Sequence, residues 1–165
     1  MPSYSYDIVS ELNISEINNV YDQVKRELLT RYDFKNTNSE IEWLSPKKEG
    51  FRILGSNELN IDSMIDIIRQ KLAKRNLSQK SIDLSSDNIK SNLKITREIP
   101  FKFGLTKDQT KQINSQLKNQ FPKIKSQILG ESLRISSNSK DELQNSILFI
   151  RKMELDFPLQ FINFK

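Results

Sequence analysis

A repeated strand-to-helix pattern constrains this fold more than any other feature of the sequence. Residues 51–69, moved forward by 82 positions, align without gaps on residues 133–151. The run "FRI" then falls on "LRI", which brings Arg52 onto Arg134. Three apolar residues of the following helix also coincide, and Arg69 falls on Arg151. This shared register predicts that the chain contains one structural unit written twice.

Four segments have the apolar spacing of amphipathic helices. The first is expected to begin at Ser15, which is a good N-cap residue, and the second near Asn60. The apolar residues of both segments share the spacing i, i+3, i+4, i+7 and i+11. The segments 106–109 and 139–142 each have a Ser or Thr followed three residues later by Gln or Glu. Both predict a capping box at the start of a helix.

Short runs between these helices are typical of strands. They are residues 4–10, 39–44, 51–55, 93–99, 123–129, 133–136 and 159–164, with 81–85 as the candidate that closes the first unit. Each half then reads strand, helix, strand, strand, helix, strand. That order predicts an α+β protein with two tandem ferredoxin-like (βαββαβ) domains, each an antiparallel four-stranded sheet with helices on one face. The polar segment 83–92 places the boundary, giving domains 1–90 and 91–165.

The composition excludes several kinds of chemistry. Histidine and cysteine are both absent, which removes His-assisted serine catalysis, imidazole and thiolate zinc sites, and disulfides. No signal peptide and no run long enough to cross a membrane is recognised, so we expect a cytoplasmic protein without a membrane partner. No carboxylate pair stands out as an acid–base couple and no glycine-rich phosphate loop is present. We therefore expect a protein that is not an enzyme and has no cofactor.

Positive charge is concentrated in the second half of the sequence. Residues 1–90 have 13 Lys or Arg and 14 Asp or Glu, whereas residues 91–165 have 13 and 7. Lys107, Lys111 and Lys118 fall within about 40° of arc on the third helix, at about 100° per residue. This surface could attract nucleotides or nucleic acid, and a solvated lysine-rich surface explains it equally well.

The segment "LTRYDFK" (29–35) alternates charged residues with aromatic rings. On an extended chain Arg31, Asp33 and Lys35 would share one face, and Tyr32 and Phe34 would share the other. Such alternation is typical of a half-buried strand. It would also suit a surface that holds a charged, planar ligand, so both interpretations stay open.

Arginines at equivalent places in the two halves are the second candidate site. Arg52 and Arg134 occupy equivalent strand positions, and Arg69 and Arg151 occupy equivalent helix positions. A guanidinium matches phosphate with two hydrogen bonds and can stack on a base. Pairing with nearby carboxylates is the alternative.

The end of the second helix adds Lys74 and Arg75 next to Arg69. These cations could face a phosphate, or could simply complement the helix dipole. The strand "FRILG" offers Phe51 as a ring for base stacking, although a core position explains Phe51 better.

Four motifs resemble the YajQ family of small bacterial proteins. They are "SYDIVSE" near the start, "TRYDFK" after the first helix, "LAKRNL" at the end of the second and "PLQFINFK" at the end. The family tends to have glycine where this chain has Asn36 and Asn76, and asparagine tolerates the left-handed conformation.

The resemblance implies two tandem ferredoxin-like domains, with exchange of their first strands between the sheets as a further arrangement. It also implies nucleotide binding without known catalysis. Some members are described as cyclic di-GMP effectors that act on transcription, and others as binders of nucleotides or RNA.

These observations predict a cytoplasmic nucleotide-binding regulator. The expected ligand is a guanine nucleotide such as cyclic di-GMP, with GTP and ATP as further candidates. It would lie near residues 31–35 and the paired arginines. An RNA- or DNA-binding module that uses the basic second domain is the alternative function, and a protein-binding adaptor is a third.

Overall fold

The computed structural model describes residues 3–165 and contains four helices and eight strands in that part of the chain. The helices are α1 (Ile14–Thr30), α2 (Glu58–Lys74), α3 (Lys107–Gln120) and α4 (Lys140–Lys152). The strands are β1 (Tyr4–Val9), β2 (Glu40–Trp43), β3 (Gly50–Gly55), β4 (Ile89–Ser91), β5 (Lys94–Pro100), β6 (Lys125–Leu129), β7 (Ser132–Ser137) and β8 (Gln160–Ile162). Short 3₁₀ turns lie at Tyr32–Phe34 and Gln79–Ser81.

The strands form two four-stranded antiparallel sheets with the same arrangement. One sheet has the order β6-β7-β1-β8, and the other has the order β2-β3-β5-β4. The strand β1 pairs with β7 and β8, whereas β5 pairs with β3 and β4. Two helices pack on each sheet through a separate hydrophobic core. The fold class expected from the order of elements is therefore confirmed.

The chain divides into two compact units that follow the sheets. One unit comprises the described residues of 1–11 together with Phe103–Lys165, and the other comprises Leu12–Lys102. This division differs from the contiguous halves 1–90 and 91–165 expected from the polar segment. The reason is strand pairing, because β1 lies among C-terminal strands and β5 lies among N-terminal ones.

The core of each unit consists of alternate residues of its strands and the apolar faces of its two helices. In the unit Leu12–Lys102, Phe51 and Ile53 of β3 are fully buried against apolar residues of α1 and α2. In the other unit, Tyr6 and Ile8 of β1 are fully buried with residues of α3 and α4. The side chains between them in the strands point to the opposite sheet face.

Of the two predicted capping boxes, the one at α3 is complete and the one at α4 is only half formed. The side chain of Thr106 accepts from the Gln109 amide and the Gln109 side chain accepts from the Thr106 amide, which confirms the capping box of α3. At α4, Ser139 caps the Glu142 amide, but the Glu142 carboxylate accepts from Ser137 instead of closing the box.

The first two helices begin earlier than the apolar pattern indicated. Asn13 caps α1 through the Glu16 amide, and Asn57 caps α2 through the Asn60 amide. The predicted starts at Ser15 and near Asn60 were therefore wrong by one turn or less.

The strand predicted at 81–85 was wrong. Residues Gln79–Ser81 form a 3₁₀ turn, and Ile82 makes only an isolated bridge to Phe101. The fourth strand of that sheet is β4, which lies within the polar segment 83–92. All three residues of β4 are exposed, so no apolar alternation marks it in the sequence.

Candidate functional site

The segment 31–35 is a tight turn rather than an alternating strand. The amide of Phe34 donates to the Arg31 carbonyl and the amide of Lys35 donates to the Tyr32 carbonyl, which forms one 3₁₀ turn after α1. Phe34 is buried in the core, while Tyr32 is 87 % exposed. The two rings therefore do not share a face, and the strand interpretation was wrong. Local hydrogen bonds satisfy this backbone, and Asn36 continues the turn at φ 64°.

Arg31 is held by neighbouring carboxylates. Its Nε and Nη2 donate to the two oxygens of Asp33 at 2.9 and 2.7 Å, and Nη1 lies 3.6 Å from Glu27. The hydrogen bonds from Arg31 hold the pKa of Asp33 below its usual value. The guanidinium also lies 5.2 Å from the centre of the Phe34 ring. Within this segment, Tyr32 and Lys35 remain exposed for a ligand.

The equivalent arginines of the two sheets both pair with carboxylates on neighbouring strands. Arg52 lies 3.4 Å from Glu42 and 3.3 Å from Glu98. Arg134 donates from Nε to Asp7 at 2.9 Å and from Nη2 at 3.3 Å. The hydrogen bond from Arg134 is the main cause that lowers the pKa of Asp7. Arg52 in β3 and Arg134 in β7 do occupy equivalent strand positions. In both sheets an ion pair with a neighbouring strand accounts for the arginine.

The cations at the end of α2 have different surroundings. Arg75 pairs with Glu16 at 3.4 Å, and Arg69 is exposed on the helix surface. Lys74 lines a cleft of about 320 Å³ between α1 and α2, together with Arg26 and Lys71. Lys71 is neutralised by Glu27 at 3.1 Å. The three predicted cations therefore have separate surroundings: Arg75 is in an ion pair, Lys74 lines a cleft and Arg69 is exposed.

Arg151 lines a concave surface along the last helix of its unit. A groove of about 530 Å³ runs along α4, and its lining includes Tyr4, Lys140, Ile147, Arg151, Phe164 and Lys165. We call it the α4 groove. Its volume lies within the range of small-ligand sites, about 300–1,000 Å³. Among the described residues, no Asp or Glu side chain lines it, and its charged side chains are those of Lys140, Arg151 and Lys165.

The floor and rim of the α4 groove are aromatic and apolar. Tyr6 is fully buried beneath it and its hydroxyl shares a 2.7 Å hydrogen bond with Ser146. Burial raises the pKa of Tyr6 to about 12, so this floor stays uncharged at neutral pH. Phe164, 62 % exposed, lies at 6.1 Å from Tyr6 between ring centres. The guanidinium of Arg151 lies 5.3 Å from the centre of the Phe161 ring.

Sequence reasoning found only one residue of this groove. Arg151 was predicted from the repeat, whereas Lys140, Tyr4 and Phe164 were missed. A helical stripe through positions 140, 144, 147 and 151 was the available signal, because residues three, four, seven and eleven positions apart lie on one side of a helix. The aromatic C-terminal strand was predicted to be ordered, and β8 confirms its centre.

The predicted site residues fall in both units. Arg31, Tyr32, Asp33, Phe34, Lys35, Arg52, Arg69, Lys74 and Arg75 lie in Leu12–Lys102, and Arg134 and Arg151 lie in the other unit. Strand pairing also redistributes charge. The unit with the α4 groove has ten Lys or Arg and eight Asp or Glu, and Leu12–Lys102 has 16 and 13. Neither unit concentrates the positive charge of residues 91–165.

Two features bear on nucleic-acid binding. Phe51 is fully buried, with ring centres 5.5 Å from Trp43 and 4.9 Å from Phe101, so it offers no surface for base stacking. On α3, Lys107, Lys111 and Lys118 are all exposed. In residues 3–165, no helix is long and apolar enough to cross a membrane.

Comparison with known proteins assigns the chain to a family. The profile described as "Nucleotide-binding protein YajQ-like" matches residues 4–165. A nucleotide-binding protein of Chloroherpeton thalassium is 37 % identical over 163 residues, which cover 99 % of this chain and 98 % of the relative. A nucleotide-binding protein of Prochlorococcus marinus strain MIT 9312 is 41 % identical over 165 residues with the same coverage. One from Trichormus variabilis is 36 % identical over 163 residues, again with 99 % and 98 % covered. The chain therefore belongs to the YajQ family.

Proposed function

We propose that this protein is a non-enzymatic, cytoplasmic nucleotide-binding regulator whose ligand occupies the α4 groove. The relatives named nucleotide-binding proteins cover almost the whole chain, which supports the ligand class. The family resemblance favours a guanine nucleotide, of which cyclic di-GMP is one example. The groove carries the proposal, because it combines exposed and buried rings with basic side chains and has no Asp or Glu side chain in its lining among the described residues.

Each part of a nucleotide has a matching part of the groove. Phe164 and the Arg151 guanidinium offer flat surfaces on which a base can stack. Lys140 forms no salt bridge with any described carboxylate, so a phosphate bound there would not compete with an internal partner. Ile147 and Leu143 supply apolar contact between them.

Calorimetric titration tests this site against the one predicted from residues 31–35. Wild type, Arg151→Ala and Arg31→Ala would each be titrated with cyclic di-GMP, GTP and ATP. We expect Arg151→Ala to weaken binding by about tenfold or more, the cost of losing the flat cation on which the base stacks, and Arg31→Ala to leave it unchanged. The reverse result assigns the ligand to the turn at 31–35. Absence of binding for every nucleotide contradicts the proposed function.

Nucleic-acid binding is the second candidate function, and the lysines of α3 favour it. All three lie on one exposed face and form no salt bridge within the described part of the chain. If they follow a phosphate backbone, affinity for a single-stranded oligonucleotide falls steeply with salt, and replacing all three by Gln reduces the slope by about two. Affinity that does not change with salt argues against this candidate.

A further inference from the structure

We infer that the α4 groove takes an extended nucleoside polyphosphate, with its phosphates at the Lys140 end and its base against Arg151. This inference rests on the proposed function and narrows it. It distinguishes a linear nucleotide, whose charge lies at one end, from a cyclic dinucleotide, whose phosphates lie between two bases.

The groove is elongated because α4 lines it over nearly its whole length. Lys140 and Arg151 are eleven residues apart, which corresponds to about 16 Å along a helix. A volume of about 530 Å³ spread over that length describes a narrow trench. Such a trench fits an extended molecule better than a compact ring-shaped one.

The Arg151 end is suited to a planar base. Its guanidinium is stacked 5.3 Å from the Phe161 ring, and Phe161 pairs with Ile8 in the sheet. Arg151 nevertheless remains exposed to the groove. A guanidinium positioned by a ring on one side offers a flat cation for a second aromatic group.

The other end is suited to phosphates. Lys140 is the first residue of α4, so it lies at the opposite end of the groove from Arg151. Lys165 pairs through its backbone with Ser5, about 10 Å along β1 from Ile8, and its positive charge also helps to lower the pKa of Asp7. The peptide dipoles of α4 add to this polarity, since its amide end is at Lys140 and its carbonyl end is at Arg151. Asp141 and Glu142 do not line the groove, and Glu142 is engaged by Ser137.

Calorimetric titration of the full chain with guanosine, GMP, GDP, GTP and cyclic di-GMP, in EDTA to keep the phosphates free of divalent cations, tests the inference. In wild type we expect affinity to rise from GMP to GTP and cyclic di-GMP to bind more weakly than GTP. Lys140→Gln should lower GTP affinity by about tenfold and GMP affinity much less, and Lys140→Arg should restore it. Arg151→Lys keeps the charge but loses the planar fork, so it should weaken all the linear nucleotides by a similar factor.

Lys152→Gln is the matched control, because Lys152 is an exposed cation on the same helix that does not line the groove. Circular dichroism confirms that each variant is folded. Equal affinities for GMP and GTP, or tighter binding of cyclic di-GMP than of GTP, overturn the inference while nucleotide binding itself stands. Nucleotide affinities that neither Lys140→Gln nor Arg151→Lys changes also overturn the inference. If no nucleotide binds to wild type, the proposed function fails with it.

Discussion

Asp7 on β1 accepts two hydrogen bonds from Arg134 on β7, although 127 residues separate them in the chain. A third hydrogen bond comes from the side chain of Asn163, at 2.9 Å. Asp7 is only 5 % exposed, so these three donors replace the water that its carboxylate would otherwise bind. The interaction ties the first strand to strands from the end of the chain.

The first prediction concerns the unequal importance of the two equivalent arginines. Arg134→Ala should destabilise the protein clearly, because it leaves the buried Asp7 carboxylate with Asn163 as its remaining side-chain donor. Arg52→Ala should cost only about 0–1 kcal/mol, since its partners Glu42 and Glu98 are well exposed. The free energy of unfolding in urea measures both. Equal losses for the two variants would contradict the assignment.

The second prediction concerns pH. The pKa of Asp7 is lowered in the folded state by Arg134, so its contribution to stability is complete above the unfolded pKa of 3.8 and is lost as pH falls through the lower folded pKa. The loss should therefore become measurable as pH falls below 3.8. Asp7→Asn should therefore reduce stability at pH 7 and flatten its decline in acid. Asp33→Asn, which changes an exposed carboxylate also held by an arginine, should alter the curve less. Urea unfolding at several pH values gives the two curves, and identical curves would refute the prediction.

The third prediction tests Phe51 as a core residue rather than a base-stacking one. Phe51→Ala should cost about 3–5 kcal/mol of unfolding free energy, because the side chain is fully buried among aromatic rings. Phe103→Ala is the control, since Phe103 is 59 % exposed and should change stability by less than about 0.5 kcal/mol. Chemical denaturation measures the difference. A small effect at Phe51 would mean that its ring is not part of the core.

The fourth prediction concerns the two asparagines at family glycine positions. Asn36 and Asn76 both adopt the left-handed conformation, at φ 64° and 57°, as their ability to tolerate it suggested. Replacing either by Ala should destabilise by about 1–2 kcal/mol, whereas Gly should be close to neutral. Thermal unfolding ranks the variants. Ala and Gly variants of equal stability would show that the backbone relaxes out of this conformation.

Local patterns predicted the elements whose structure depends on neighbouring residues. The capping box at Thr106 lies within one turn of helix, so its four residues contain all the required groups. The strand around Arg52 and the helix after it recur around Arg134, because the same alternation of buried and exposed positions serves both sheets. The strand β4 has no such pattern, because it lies at the edge of its sheet and all its residues are exposed. The turn at Tyr32–Phe34 has none either, because hydrogen bonds within the turn hold its backbone.

The candidate site depended on contacts that no local pattern contains. Arg31, Arg52 and Arg134 share the residue type of Arg151, yet carboxylates neutralise the first three and an aromatic ring stacks on the last. The sequence did not indicate Lys140 as a site residue, because only the folded structure places it in one groove with Phe164 and Lys165.

The sequence by itself determined that the chain repeats one α+β unit, where its four helices lie, and that neither histidine nor cysteine takes part in its chemistry. These properties follow from residue type and spacing. The tertiary structure decided which strands share a sheet, which arginines stay free of carboxylates, and how charge divides between the units. Pairing of β1 and β5 with distant strands is the physical reason, because it moves Asp7, Glu11 and three basic residues of 91–102 into units that their sequence positions did not indicate.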